Sequence, residues 1–289
     1  MGSAPLTKQR VRELEKFAAQ IRLETLKEIK TLGFGHIGGA ASVIELLAVL
    51  YGEVMNIDPK NPKWPQRDFF VSSKGHAGPS IYAALALKGY FPVSQLATLN
   101  QPATNLPSHC DRLKTVGIDM TTGSLGQGAS SACGIALGNR LSGIDNKTYL
   151  VLGDGELDEG QVWEMALFAS HQKLDNLIAF VDENKKQLDG YTKDINDLGD
   201  IAAKFAAFGW DAQYVNGKSI EAIHAAILRA QKVKGKPAVI VLDTIKGQGY
   251  PFVEEQFSNH HLRFSDEDHR RAAEQIVELE TTLAHWEAR

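Results

Sequence analysis

Cysteine is almost missing from this chain: Cys110 and Cys133 are the only two in 289 residues. Two thiols build no disulfide framework and form no metal-type pair, and they suit a reducing compartment. No apolar stretch approaches the length of a membrane span. An excess of one charge is lacking too, and a net charge of −4 gives no electrostatic reason to expect nucleic acid or an anionic membrane as partner. Internal repeats, low-complexity tracts and clear linkers are also missing. The segment Lys8–Lys30 is charged and helix-patterned, without a signal-peptide apolar core. What remains is a globular composition, 43% apolar, sufficient for a full core. These absences leave a cytoplasmic enzyme or part of one as the expected class.

The apolar patterning predicts strands and helices in alternation. Val11–Leu32 carries Leu14, Phe17, Ile21, Leu23 and Ile29 near helical spacing, and the glycines from Gly33 to Gly39 end it. A second helix is expected over Ala41–Val54, a short strand over Asp68–Ser73, and a helix from Gly75 to about Leu87. Ser94–Leu99 reads as a short helix, Gln101–Thr122 as a long irregular segment, and Gly123–Leu141 as a small-residue helix. Thr148–Leu152, Leu177–Val181, Trp210–Val215 and Ala238–Thr244 read as strands. Gln161–Lys173, Ile201–Phe208 and Ile220–Lys232 read as the helices between them, and Ser265–Arg289 as a closing helix. Strand-then-helix repetition predicts an α/β fold, doubly wound, with a mainly parallel sheet covered by helices on both faces. A single domain over 1–289, with a helical extension from about 265, is the simplest organisation.

The most informative residues lie at the ends of two of these strands. Gly153-Asp154-Gly155 follows the run Tyr149–Leu152, and Asp182-Glu183-Asn184 closes the next run some thirty residues later. Ligands of open α/β sheets bind at the carboxyl edge. Gly153 and Gly155 let backbone approach a ligand closely, Asp154 offers a carboxylate, Asn184 an amide oxygen, and Lys186 a backbone carbonyl. That is an oxygen set for Mg2+, with Ca2+ or Mn2+ as substitutes, and such an ion in turn grips a diphosphate. Alone, Gly-Asp-Gly is more often a turn; the asparagine after a second buried strand weighs against that bland reading. His36, His76 and His109 sit in Gly- or Pro-rich loops, and His260-His261 follow a polar one. One loop histidine is usually a surface residue, but imidazoles at strand edges can donate to a diphosphate, polarise a carbonyl or move a proton.

Gly153–Gly155 through Asn184 resembles the thiamine diphosphate signature. Four further segments resemble transketolases in order: Gly35-His36, Ser73-Lys74-Gly75-His76-Ala77, Thr121–Gly128 and Lys246-Gly247-Gln248-Gly249. The resemblance spans about Val11 to His261 and is to the N-terminal, diphosphate-binding half, as in transketolases split over two chains. It implies transfer of a two-carbon ketol unit from a ketose to an aldose. It also implies thiamine diphosphate contacts from His76, Gly123, Leu125, Gly153, Asp154, Gly155, Glu159, Asn184 and either His260 or His261. The metal would take Asp154, Asn184 and Lys186, and His36, His109 and His260 would do catalytic work on small sugars. Glu159 and Glu164 match acidic positions that join a carboxylate network between active sites. Ile37 after His36 and Cys110 after His109 depart from the family pattern, which leaves the sugar open, and Asn259 stands where the family has Trp before the histidine, which leaves the choice between His260 and His261 open. The pyrimidine-binding domain and its glutamate have no counterpart here. The resemblance therefore implies a C-terminal partner subunit, with the two joined in an α2β2 assembly. The alternatives are an E1 α-type subunit of a 2-oxo acid dehydrogenase, which shares the Gly-Asp-Gly…Asn device, or a non-catalytic cofactor-binding subunit.

Overall fold

The structure, a computed structural model, describes residues 5–287. The last two residues of the expected closing helix, Ala288 and Arg289, lie outside that range, as do residues 1–4.

Five parallel strands form the central sheet: β1 Phe69–Ser72, β2 Thr148–Gly153, β3 Leu177–Glu183, β4 Asp211–Asn216 and β5 Ala238–Asp243. Their spatial order is β1-β2-β3-β5-β4. In β2 every residue is buried, so the strand reads in sequence as an unbroken apolar run. The period of two reappears in the packing. Tyr149, Val151, Ile178, Phe180 and Ile240 belong to one core, while Leu150, Leu152, Ala179, Val181 and Val239 belong to the core on the opposite face.

The first core packs against α1 Lys8–Leu32, α2 Ile37–Ala41, α3 Ile44–Val49 and α4 Gly78–Leu87. The second packs against α5 Gln127–Leu141, α6 Gly160–His171 and α7 Ile201–Ala207, while α8 Ile220–Lys232 returns to the first face. The doubly wound α/β expectation therefore holds. The helix α1 starts on a Thr7 cap, whose hydroxyl accepts from Arg10 N–H at 3.1 Å. It stops at Gly33, left-handed at φ 81, whose N–H returns to the Ile29 carbonyl at 2.8 Å.

Three local expectations need correction, and one element is new. The helix expected over Ala41–Val54 divides into α2, α3 and a π-helical turn Leu50–Val54, with the break between α2 and α3 at Ser42–Val43. The helix expected from Gly123 starts at Gln127, since Gly123 and Gly126 adopt φ 156 and φ 81. The short helix near Ser94 is a 3-10 segment, Val93–Thr98. A two-residue antiparallel ribbon, β6 Phe34–Gly35 with β7 Leu262–Arg263, has no counterpart in the sequence pattern. The closing helix, α9 Asp266–Glu287, packs along α1. Among the described residues, no helix is long and apolar enough to cross a membrane.

Glu28 breaks the apolar pattern of the core with an unpaired carboxyl. Glu28 on α1 is 2% exposed, and among the described residues neither carboxylate oxygen has a hydrogen-bond partner. Burial, then Glu24, raises it well above the ordinary carboxylate range. The folded state keeps this proton and the unfolded chain releases it, so stability falls as pH rises above the usual glutamate range, by at most about 1.4 kcal/mol per pH unit. Glu28→Leu is expected to stabilise the protein by about 1–3 kcal/mol at pH 8, and by less at pH 5. Urea unfolding at the two pH values checks this, and an equal gain at both would contradict it.

Candidate functional site

The carboxyl ends of β1, β2, β3 and β5 converge on a cavity of about 340 Å³. Register fixes what meets there. Ser72 pairs with Val151 and Gly153 with Asp182, so the residues just beyond β1 and β2 stand beside the end of β3.

Asp182 is the electrostatic centre of the floor. Its side chain is fully buried and pairs with the Lys74 ammonium, itself 1% exposed, at 2.5 Å. Ser42 Oγ and Asn184 Nδ2 donate to Asp182 Oδ2 at 2.6 and 2.7 Å, and Thr244 Oγ1 donates to Oδ1 at 2.6 Å. Burial alone would raise this carboxyl; Lys74 and the hydroxyl donors overcome that and hold it below the usual range.

Asp154 lies beside it, 2% exposed. Its Oδ1 accepts from Gly155 N–H at 2.8 Å and its Oδ2 from Lys185 N–H at 2.6 Å. Burial, then Asp182, pushes it up to about 7 against those two donors. Lys185 adopts φ 67, a left-handed conformation that costs a lysine energy and clusters at functional sites. Asn184 Oδ1 accepts from Lys186 N–H at 3.2 Å, so its amide is oriented by Asp182 on one side and the Lys185–Lys186 turn on the other. The Lys186 carbonyl accepts from the Lys246 ammonium at 2.9 Å.

Lys246 is buried and touches Gln187 O and His260 Nδ1 as well, at 3.3 and 3.1 Å. Among the described residues no carboxylate lies within ion-pairing distance of it. Burial, then Lys74, pushes it down to about 8. A buried cation without an anion beside a buried carboxylate short of cations fits an ion pair of larger size, a divalent metal with a diphosphate. The residues present therefore fit the cofactor expected from the sequence.

Glu156 ties the glycine-rich segment to this floor. It accepts from Ser73 Oγ, from Gly126 N–H at 2.8 Å and from Gly153 N–H at 3.1 Å. Gly123, Leu125, Gly153, Gly155 and Glu159 consequently share one cavity wall. Glu164 stands exposed on α6.

Five imidazoles form the rim. His36 is central, with ring centroids 5.6 Å from His76, 5.0 Å from His109, 5.4 Å from His260 and 4.7 Å from His261. His76, His109 and His260 line the cavity; His36 and His261 lie outside its lining. Burial, then His261, pushes His36 down to about 4, and burial, then Lys246, pushes His260 down to about 3. Burial also holds His76 well below its usual value, ahead of Lys74. These three rings are neutral near pH 7 and available to accept or donate one hydrogen bond each. Cys110, beside His109, is 3% exposed, and burial pushes its thiol up to about 12, which excludes it as a nucleophile.

Lys74, Asp182, Glu156 and Lys246 carry much of this site, and sequence reasoning gives none of them a role. Lys74 and Lys246 fall in segments that resemble the family. Asp182 is visible as a strand-end acid, and only the register reveals that it faces a lysine.

A parallel sheet with a glycine-flanked carboxylate, lysines and imidazoles at its carboxyl edge defines an α/β cofactor-binding domain of the thiamine diphosphate class. The transketolase thiamine diphosphate-binding domain matches residues 14–277, and the chain belongs to the transketolase family. It is 52% identical over 268 residues to the 6-deoxy-6-sulfo-D-fructose transketolase subunit SqwG of Clostridium sp. (strain MSTE9), covering 93% of this chain and 96% of that one. It is 40% identical over 250 residues to a subunit of the apulose-4-phosphate transketolase of Actinobacillus succinogenes, covering 86% and 90%. The crystal structure of transketolase from Campylobacter jejuni superposes with a TM-score of 0.85 at 29% identity, over 94% of this chain but 43% of that one. The chain thus spans less than half of that solved transketolase, and nearly all of the two relatives named as subunits.

Proposed function

We propose that this chain is the diphosphate-binding subunit of a two-chain transketolase, one domain with the helix α9 as its extension. The observation that carries this reading is the shared cavity of Asp154, Asn184 and Lys246, a carboxylate, an amide oxygen and an unpaired buried ammonium at one sheet edge. Asp154, Asn184 and the Lys186 carbonyl would hold Mg2+, with Lys246 giving up that carbonyl. Lys74, Lys246, His76 and His260 would face the phosphates. Gly123 and Leu125 would offer backbone groups to the rest of thiamine diphosphate. When bound, this cofactor supplies the electron sink for the two-carbon unit. The protein's own part is to orient, exclude water and move protons. His109 and His36, at the rim, would bond the ketose carbonyl and hydroxyls, and His260 would hand protons between them and the floor.

A pyrimidine-binding half would come from a C-terminal subunit, in an α2β2 complex in the cytoplasm. The sulfonated ketose in the Clostridium relative's name is the first donor to test. Ketol transfer measured on the purified chain alone is expected to be absent, and to appear when the partner is added with Mg2+ and thiamine diphosphate. Full turnover by the chain alone would overturn the reading.

A further inference from the structure

His261 is the one exposed imidazole of the rim. Its place is set by the ribbon, in which Phe34 pairs with Arg263 and Gly35 with Leu262. The next residues outward, His36 and His261, therefore stand opposite each other, as cross-strand partners do. Their rings meet edge to face, with centroids 4.7 Å apart and planes at 81°. His261 leans on Phe34 from its other side, at 5.9 Å. His36 is half-buried by its neighbours. Among the described residues, no protein group takes up a His261 ring nitrogen in a hydrogen bond. An exposed ring with free nitrogens, registered by two backbone strands against a more buried one, is more than a surface histidine.

Resting on the ketol-transfer reading, we propose that His261 is a positioning residue for the donor ketose, acting through His36. The ribbon holds the His261 ring against His36 and so fixes one His36 ring orientation. After burial itself, the His261 ring beside it also disfavours protonation of His36, and helps keep it an uncharged partner for the ketose. The groups facing His36 from the other elements are His109 from the irregular segment, His76 from the turn before α4, and Lys246 and His260 from the loops after β5; of these, His109 and Lys246 act on His36 in the same direction. Among the groups that act on it no carboxylate appears. His261 is the largest electrostatic contributor among them, after burial itself.

Two variants separate orientation from charge. His261→Ala removes both the ring and its ionisable nitrogens; His261→Phe keeps an edge-on ring and removes only the ionisable nitrogens. In the two-chain enzyme, His261→Ala is expected to lower kcat/KM for the donor ketose about tenfold, the scale of a modest misplacement of a reacting group. Cofactor affinity by calorimetry and melting temperature should stay unchanged. His261→Phe should recover most of that loss. In both variants the acid limb of the kcat/KM profile should move to higher pH. Imidazole proton NMR on the isolated chain reads the same effect without turnover, as an upward shift of the His36 midpoint. An unmoved His36 midpoint and an unchanged kcat/KM in both variants would overturn the proposal. A fall in cofactor affinity or melting temperature matching the rate loss would also overturn it, by making His261 a structural residue. If the wild-type pair transfers no ketol unit, the functional reading fails, and the NMR result still decides the coupling of His261 to His36.

Discussion

Asp154→Ala is expected to weaken binding of Mg2+ with thiamine diphosphate by about two orders of magnitude or more, and to abolish ketol transfer in the presence of the partner. Loss of an outer-shell group that merely supports a metal ligand costs about 10–100-fold, and the loss of a ligand itself should cost no less. The fold should survive. The carboxylate accepts from two N–H groups, Gly155 and Lys185, and leaving them unpaired costs about 1–3 kcal/mol. Against that, the variant removes a buried negative charge that burial and Asp182 already disfavour. Calorimetric titration with Mg2+ and thiamine diphosphate, beside a thermal melt of the cofactor-free protein, separates the two effects. Unchanged cofactor affinity would show that the metal lies elsewhere and would remove the basis of the site.

The parts of this molecule that local pattern can encode are legible in the sequence. The strand expected over Thr148–Leu152 runs to Gly153, and that over Leu177–Val181 runs to Glu183, because a buried parallel strand is a short apolar run ended by polar or glycine residues. Asp154, Asn184 and Lys186 are legible because each sits within three residues of a strand end. The ribbon is not. Two residues have no periodicity, and the pairing joins Phe34 to Arg263 across most of the chain. Without the ribbon the sequence cannot separate His260 from His261; with it, the first turns to Lys246 and His76, and the second to His36 and Phe34. The Gly123 region departs from its pattern for a related reason. Small residues read as helix, while Glu156 instead draws the Gly126 N–H into a loop beside the cavity.

Lys74→Met should be the most destabilising single change in the floor. It leaves the Asp182 carboxylate fully buried, with Ser42, Thr244 and Asn184 as donors but no opposing charge. Breaking a buried pair in this way costs about 3–5 kcal/mol, a large share of the roughly 5–15 kcal/mol that holds a typical domain together. Much of that cost is the stranded charge rather than the lost attraction, so a second change should return part of it. Asp182→Asn keeps acceptor and donor capacity while removing the charge, and Lys74→Met with Asp182→Asn is expected to be more stable than Lys74→Met alone. The pH dependence has a definite sign. The Asp182 carboxyl lies below its usual range in the wild type, so its contribution is present above the ordinary aspartate pKa and is lost as pH falls through the folded value. Removing Lys74 takes away the strongest group holding it there, and the stability gap between wild type and Lys74→Met should narrow on acidification. Urea unfolding of wild type and both variants at pH 7 and pH 5 measures both effects. A Lys74→Met variant as stable as wild type at pH 7 would mean that Asp182 releases its charge at no cost, and that the floor is organised by its hydroxyl donors instead.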